Sequence, residues 1–80
     1  MNLELRNEET GLRHYLNGRP VHCGDQLRLL VSSGSQPEFY VWARYEAHLG
    51  SMVAEVFLYT TFGTVRPDEG TILRWPKDGE

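Results

Sequence analysis

A small all-β domain of about five strands, curled toward a barrel, is what this 80-residue chain predicts. Three observations carry that expectation. Turn signals recur at short intervals: Asn17-Gly18, Gly24-Asp25, Ser32-Ser33-Gly34-Ser35, Gly50-Ser51, Gly63 and Asp68-Glu69-Gly70. The runs between them are rich in aromatic and β-branched residues, which suit a pleated, half-buried surface. Their apolar positions alternate with a period of two, the spacing of a strand rather than a helix. Only the opening MNLELRNEE has helix-forming composition, and it is too short to form a stable helix alone.

The elements follow in order. Leu12 to Leu16 reads as a short first strand. Asn17-Gly18 is the strongest two-residue hairpin signal, because both residues tolerate positive φ. Pro20 to Cys23 is expected to return from it. Gln26 to Val31 is the next strand, with Leu27, Leu29 and Val31 on one face and Leu30 on the other. Phe39 to Glu46 separates its faces by charge. Phe39, Val41, Ala43 and Tyr45 point to the core; Tyr40, Trp42, Arg44 and Glu46 point away. Ala54 to Phe62 divides likewise, with Ala54, Val56, Leu58, Thr60 and Phe62 inward and Glu55, Phe57, Tyr59 and Thr61 outward. Thr71 to Trp75 is the last strand, stopped by Pro76. The domain is expected over residues 10–76. Residues 1–9 are a segment either flexible or docked, and 77–80 a flexible tail.

Composition narrows the function classes. Hydrophobic residues make up 40% and charged residues 24%, a globular mixture. No window approaches the roughly 18 apolar residues of a membrane-spanning helix. No basic stretch followed by an apolar run marks a secretory signal, and the lone Cys23 suits a reducing compartment, so a cytoplasmic protein is expected. The net charge of −3 argues against a general polyanion binder. The acidity lies at the ends, and the body between residues 10 and 67 is near neutral. Seven of the eight basic residues are arginine, which suits planar and bidentate contacts, although base composition accounts for the bias equally well. So short a chain buries little surface, which hints at a homodimer or other partner.

Gly24-Asp25-Gln26-Leu27 and Tyr40-Val41-Trp42-Ala43-Arg44 resemble SH3-like barrels. There a Gly-Asp turn opens an aliphatic strand, and a later strand carries aromatics, a small Ala and an Arg. The likeness covers residues 22–46 and implies a five-stranded SH3-like barrel. The Ala-Leu-Tyr-Asp-Tyr opening and the Pro-x-x-Tyr closing motif of signalling SH3 domains are missing, so it does not imply proline-peptide recognition. The stretches His22 to Leu27, Trp42 to Glu46 and Val56 to Tyr59 also resemble a bacterial domain-of-unknown-function family. Its members look like small barrels often found near mobile elements. That likeness implies no activity.

The outward stripe of Tyr40, Trp42, Phe57 and Tyr59, with Arg44 beside it, is the candidate partner-binding site. Four exposed aromatics exceed the apolar patch a monomer usually shows. They suit a protein partner, a second copy of the chain, or a platform on which bases stack. Alternatively residues 1–9 or Trp75 fold over them, since Leu3 and Leu5 alternate with charges as a covering strand would. For a single-stranded nucleic acid the candidate contacts are Arg13, Arg19, Arg28, Arg44 and Arg66 with Tyr40 and Trp42. Glu46 and Glu55 would repel phosphates.

No catalytic, cofactor or metal site is expected. His22 and Cys23 are adjacent and face opposite ways in a strand. A thiol–imidazole dyad would need His14 or His48 and an orienting group, which nothing marks. Cys23 reads as a small buried residue. The three histidines lack the paired spacing of metal ligands and read as surface or turn residues. Asp25 and Asp68 are expected to accept backbone N–H bonds in their turns. Ser33-Gly34-Ser35 lacks the Lys and helix of a phosphate loop.

Overall fold

The computed structural model describes residues 3–32, 34–35, 37–49 and 54–80. Eight strands and no helix occur among them: β1 (Glu4–Glu8), β2 (Gly11–Leu16), β3 (Arg19–Pro20), β4 (Gln26–Val31), β5 (Phe39–Leu49), β6 (Ala54–Thr60), β7 (Gly63–Val65) and β8 (Leu73–Arg74). All pairings are antiparallel. One sheet runs β1-β2-β3 and the other β7-β6-β5-β4-β8. The protein is all-β, as its alternation predicts.

The strands do not close into a single hydrogen-bonded ring, which distinguishes the fold from the expected barrel. Proline ends β3 after two residues, and it lacks the N–H that a longer ladder would need. The chain then turns sharply at residues 22–25. Gly24 N–H donates to Tyr45 O at 2.8 Å, and Tyr45 N–H donates to Asp25 O at 2.9 Å. The first sheet therefore hands over to β5 through a loop.

Between the sheets lies one core of Leu16, Val21, Leu27, Leu29, Ala43, Tyr45, Val56, Leu58 and Leu73. Its members follow the predicted inward parity of β4, β5 and β6. Leu27 faces Ala43 across the ladder, and the small residue lets the sheet bend over the core. Trp75 packs on this core, its indole N–H donating to Leu16 O at 2.7 Å.

Local chemistry explains the turns. Asn17 and Gly18 have φ of 53° and 78°, the type I′ geometry that this dipeptide favours, and Leu16 pairs with Arg19 across it. Asp25 Oδ2 accepts the His22 N–H at 2.8 Å, and Asp68 Oδ1 accepts the Gly70 N–H at 2.9 Å, as expected of both. Asp25→Ala should therefore lower stability by about 1 kcal/mol. A urea midpoint unchanged from wild type would show that water replaces the carboxylate without loss.

Residues 4–8 form β1 and pair with β2, from Glu4 opposite Tyr15 to Glu8 opposite Gly11. Several other elements depart from expectation. The run from Ala54 to Phe62 ends at Thr60. Phe62, expected inward, stands in a turn and is 75% exposed, because the chain reverses at Gly63 into β7. Phe39, also expected inward, is exposed at the strand's start. The returning strand is only Arg19–Pro20, and the last only Leu73–Arg74. Ser33, Gly50, Ser51 and the inward side chain assigned to Ala54 lie outside what is described.

Candidate binding face

The outer surface of the five-stranded sheet is built by parity. Every second residue of β4, β5 and β6 must leave the core, and these are Gln26, Arg28 and Leu30, then Tyr40, Trp42, Arg44, Glu46 and His48, then Glu55, Phe57 and Tyr59. Trp42 and Tyr59 are each 41% exposed, and Arg44 is exposed, while Tyr40 and Phe57 are half-buried. Among the described residues of the two proposed covers, residues 4–8 pair with β2 in the other sheet. Leu3 and Trp75 pack against the core instead.

Register decides what the stripe looks like. Arg44 lies opposite Tyr59, Glu46 opposite Phe57, Trp42 opposite Arg28, and Arg28 opposite Arg74. Trp42 and Tyr59 are thus diagonal neighbours with an arginine between them. They flank a depression of about 280 Å³ that Gln26, Arg44, Thr60 and Thr61 complete.

Each ring of the stripe carries a guanidinium. Arg28 Cζ lies 4.3 Å from the centre of the Trp42 ring, Arg74 4.4 Å from Tyr40, Arg44 5.2 Å from Tyr59 and Arg66 5.2 Å from Phe57. All fall within the ~6 Å reach of a cation over a π face. Away from this surface Arg6 stacks on Tyr15 and Arg19 on Trp75. This use of arginine needs its planar, delocalised head; lysine cannot stack in the same way. Of the arginines singled out for nucleic acid, Arg28, Arg44 and Arg66 share this surface. Arg13 instead pairs with Glu8 at 3.2 Å on the first sheet, and Arg19 lies at the Trp75 edge.

Two carboxylates enter the face. Glu46 sits 3.6 Å from Arg44. Glu80 reaches back from a turn at residues 77–80. It accepts from Arg74 Nη1 at 2.7 Å and Nη2 at 3.1 Å, and from the Lys77 N–H at 2.7 Å. Its Oε2 also lies 3.0 Å from Arg28 Nε, a charge pairing without the alignment of a hydrogen bond. The Arg74 bonds and then the Lys77 N–H pull the Glu80 carboxyl down to about 2. Residues 77–80, expected as a solvated tail, thus form a pinned turn. Parity marks Arg74 as outward, but the reach of Glu80 depends on a backbone reversal that no local motif announces.

The histidines and the cysteine separate. His14, expected at the surface, is buried at 7% exposure because its strand parity turns it into the core. Its Nδ1 lies 2.7 Å from Tyr45 Oη, which satisfies both polar groups. Burial pushes the His14 pKa down and raises that of Tyr45 to about 12. Cys23, expected buried, is exposed, because the return strand stops before it. Its thiol rests against the backbone of Ala47, with Sγ 3.4 Å from both Ala47 N and Ala47 O. His22, its neighbour, turns instead toward Asp25, with Nδ1 3.8 Å from Oδ2. No group of three His, Cys, Asp or Glu residues placed to hold a metal occurs among the described residues. Among the same residues no helix is long and apolar enough to cross a membrane. Compared with protein-family models, with curated proteins and with solved structures, the chain matches none.

Proposed function

We propose that this chain is a non-enzymatic cytoplasmic binding module that docks an acidic protein partner on the outer face of its five-stranded sheet. The observation that carries this reading is the set of four guanidinium–ring stacks on one surface. Each guanidinium lies over a ring and still has N–H groups to offer acceptors. Tyrosine, tryptophan and arginine are also the residues that most often dominate binding energy at protein interfaces. The partner contacts are assigned to Tyr40, Trp42, Arg44, Phe57 and Tyr59.

The test is fluorescence anisotropy with a labelled hexaglutamate peptide. Trp42→Ala should weaken binding by about thirtyfold, the size of a ~2 kcal/mol hot spot. Its urea midpoint should stay near wild type, because the ring is partly exposed. Equal binding by wild type and variant would overturn the reading. Sedimentation velocity reads the homodimer alternative, in which Trp42→Ala would dissociate a wild-type dimer.

A second reading, single-stranded nucleic acid, is favoured by the same interleaving of arginine and rings. It predicts salt-dependent retardation of an oligonucleotide, weakened by Arg44→Ala. The carboxylate that Arg74 already holds with two nitrogens favours the protein partner, because acidic side chains offer that same group.

A further inference from the structure

We propose that Arg28 and Arg74 form a carboxylate clamp for the partner, and that the Glu80 side chain occupies it in cis as a built-in competitor. This inference rests on the outer-face reading and names the chemistry recognised at its centre.

The geometry is that of a bound ligand. Arg74 grips the Glu80 carboxylate with both terminal nitrogens, at 2.7 and 3.1 Å. This two-point fork is the arrangement by which arginine recognises planar acids. Arg28 adds its Nε at 3.0 Å from the same group. The two arginines come from β4 and β8, directly opposite in the ladder, so the sheet sets their spacing. Each is backed by a ring of the exposed stripe, Arg28 by Trp42 and Arg74 by Tyr40. The clamp is therefore continuous with the proposed docking surface, not a separate ion pair at the rim.

The occupant comes from outside the sheet. Glu80 is delivered by a four-residue turn, closed by the Glu80 N–H donating to Lys77 O at 3.1 Å. Such a turn has little core of its own: Lys77 and Asp78 are exposed, while the Glu80 side chain is half-buried against the two arginines. An acidic side chain on a partner offers the same carboxylate to the same two guanidiniums. It must displace Glu80 to do so, and its apparent affinity falls by the fraction of molecules in which the clamp is free. The segment thereby sets a threshold: weakly acidic partners fail to displace it, and strongly acidic ones succeed.

The experiment uses the full 80-residue chain and the labelled hexaglutamate peptide. Glu80→Gln removes the competing charge and should tighten peptide binding about five- to tenfold. Arg74→Gln should weaken binding in both the wild-type and the Glu80→Gln background. In the wild type, saturating peptide should shift the Lys77 amide resonance toward its position in Glu80→Ala, since the displaced carboxylate leaves that N–H. Equal affinities of wild type and Glu80→Gln, with Trp42→Ala still deficient, would overturn the competitor while leaving the docking face intact. Tightening by Glu80→Gln with no effect of Trp42→Ala would retain the clamp and overturn the wider face. If no form of the protein binds the peptide, both proposals are overturned. If Glu80→Gln tightens an oligonucleotide and not the peptide, the protein partner is excluded as the occupant.

Discussion

Leu58→Ala should cost the fold about 2–5 kcal/mol, the range for emptying a buried leucine site. Leu58 is fully buried, at 0% exposure, on β6 and faces the core shared by both sheets. Its cross-strand neighbours are Tyr45 and Val65, so truncation opens a void against an aromatic ring and the short β7. Neither side can collapse freely. Tyr45 is held through its hydroxyl by His14, and β7 is held by three residue pairs. A chain of this length has a total stability of roughly 4–12 kcal/mol. The substitution therefore removes a large share and leaves part of the population unfolded at 37 °C. Urea denaturation followed by tryptophan fluorescence measures it. A loss below about 1 kcal/mol would mean that the two sheets do not share this core. Trp42→Ala is the matched control, since it deletes a larger side chain from the other face of the same sheet.

The second large effect concerns the buried His14–Tyr45 pair. Tyr45→Phe should cost about 1–3 kcal/mol, because His14 Nδ1 loses its partner while its side chain stays buried. The pair also makes stability depend on pH. His14 titrates near 6.5 when unfolded and lower when folded, because burial disfavours the imidazolium. Below 6.5 the unfolded chain binds more protons than the native one, so stability falls with falling pH. The contribution is complete above 6.5 and is lost as pH drops toward the folded pKa. Tyr45 acts at the other end. Its pKa rises from 10.0 unfolded to about 12 folded, chiefly through burial. Its contribution is present below 10 and lost as pH climbs through 12. The unfolding midpoint should thus form a plateau between about pH 7 and 9.5 with a shoulder on each side. His14→Gln should remove the loss of stability below pH 6.5 and leave the alkaline shoulder. A loss that persists in this variant would assign it to another group.

Much of this architecture is readable from the chain. The charge-bearing positions of Phe39 to Glu46 alternate with apolar ones, so only one face can be buried, and Trp42 must look outward. Asn17-Gly18 allows one tight hairpin geometry and takes it. Both are local properties, decided by the period of two and by backbone sterics. The alternation of Leu3 and Leu5 with charges allowed a strand at the start of the chain, but the edge it joins was hidden, because its ladder forms only when β2 is present. The exposure of Cys23 was hidden because it depends on where β3 stops.

By itself, then, residue order settled the inward parity within β4, β5 and β6 and the tight turn at Asn17-Gly18, since those preferences act over two to four neighbours. It misplaced Phe39, Phe62, His14 and Cys23, whose exposure depends on where strands end and what packs on them. Tertiary structure alone decided that each outward ring would meet an arginine. That outcome required the register of β4 to β8, and the Arg28–Arg74–Glu80 contact required in addition a turn at residues 77–80 that carries a carboxylate back to β4. Register follows from pairing energies summed along whole strands, and the fold of residue 80 onto residue 28 follows from the path of the chain. Neither quantity resides in any short window of sequence.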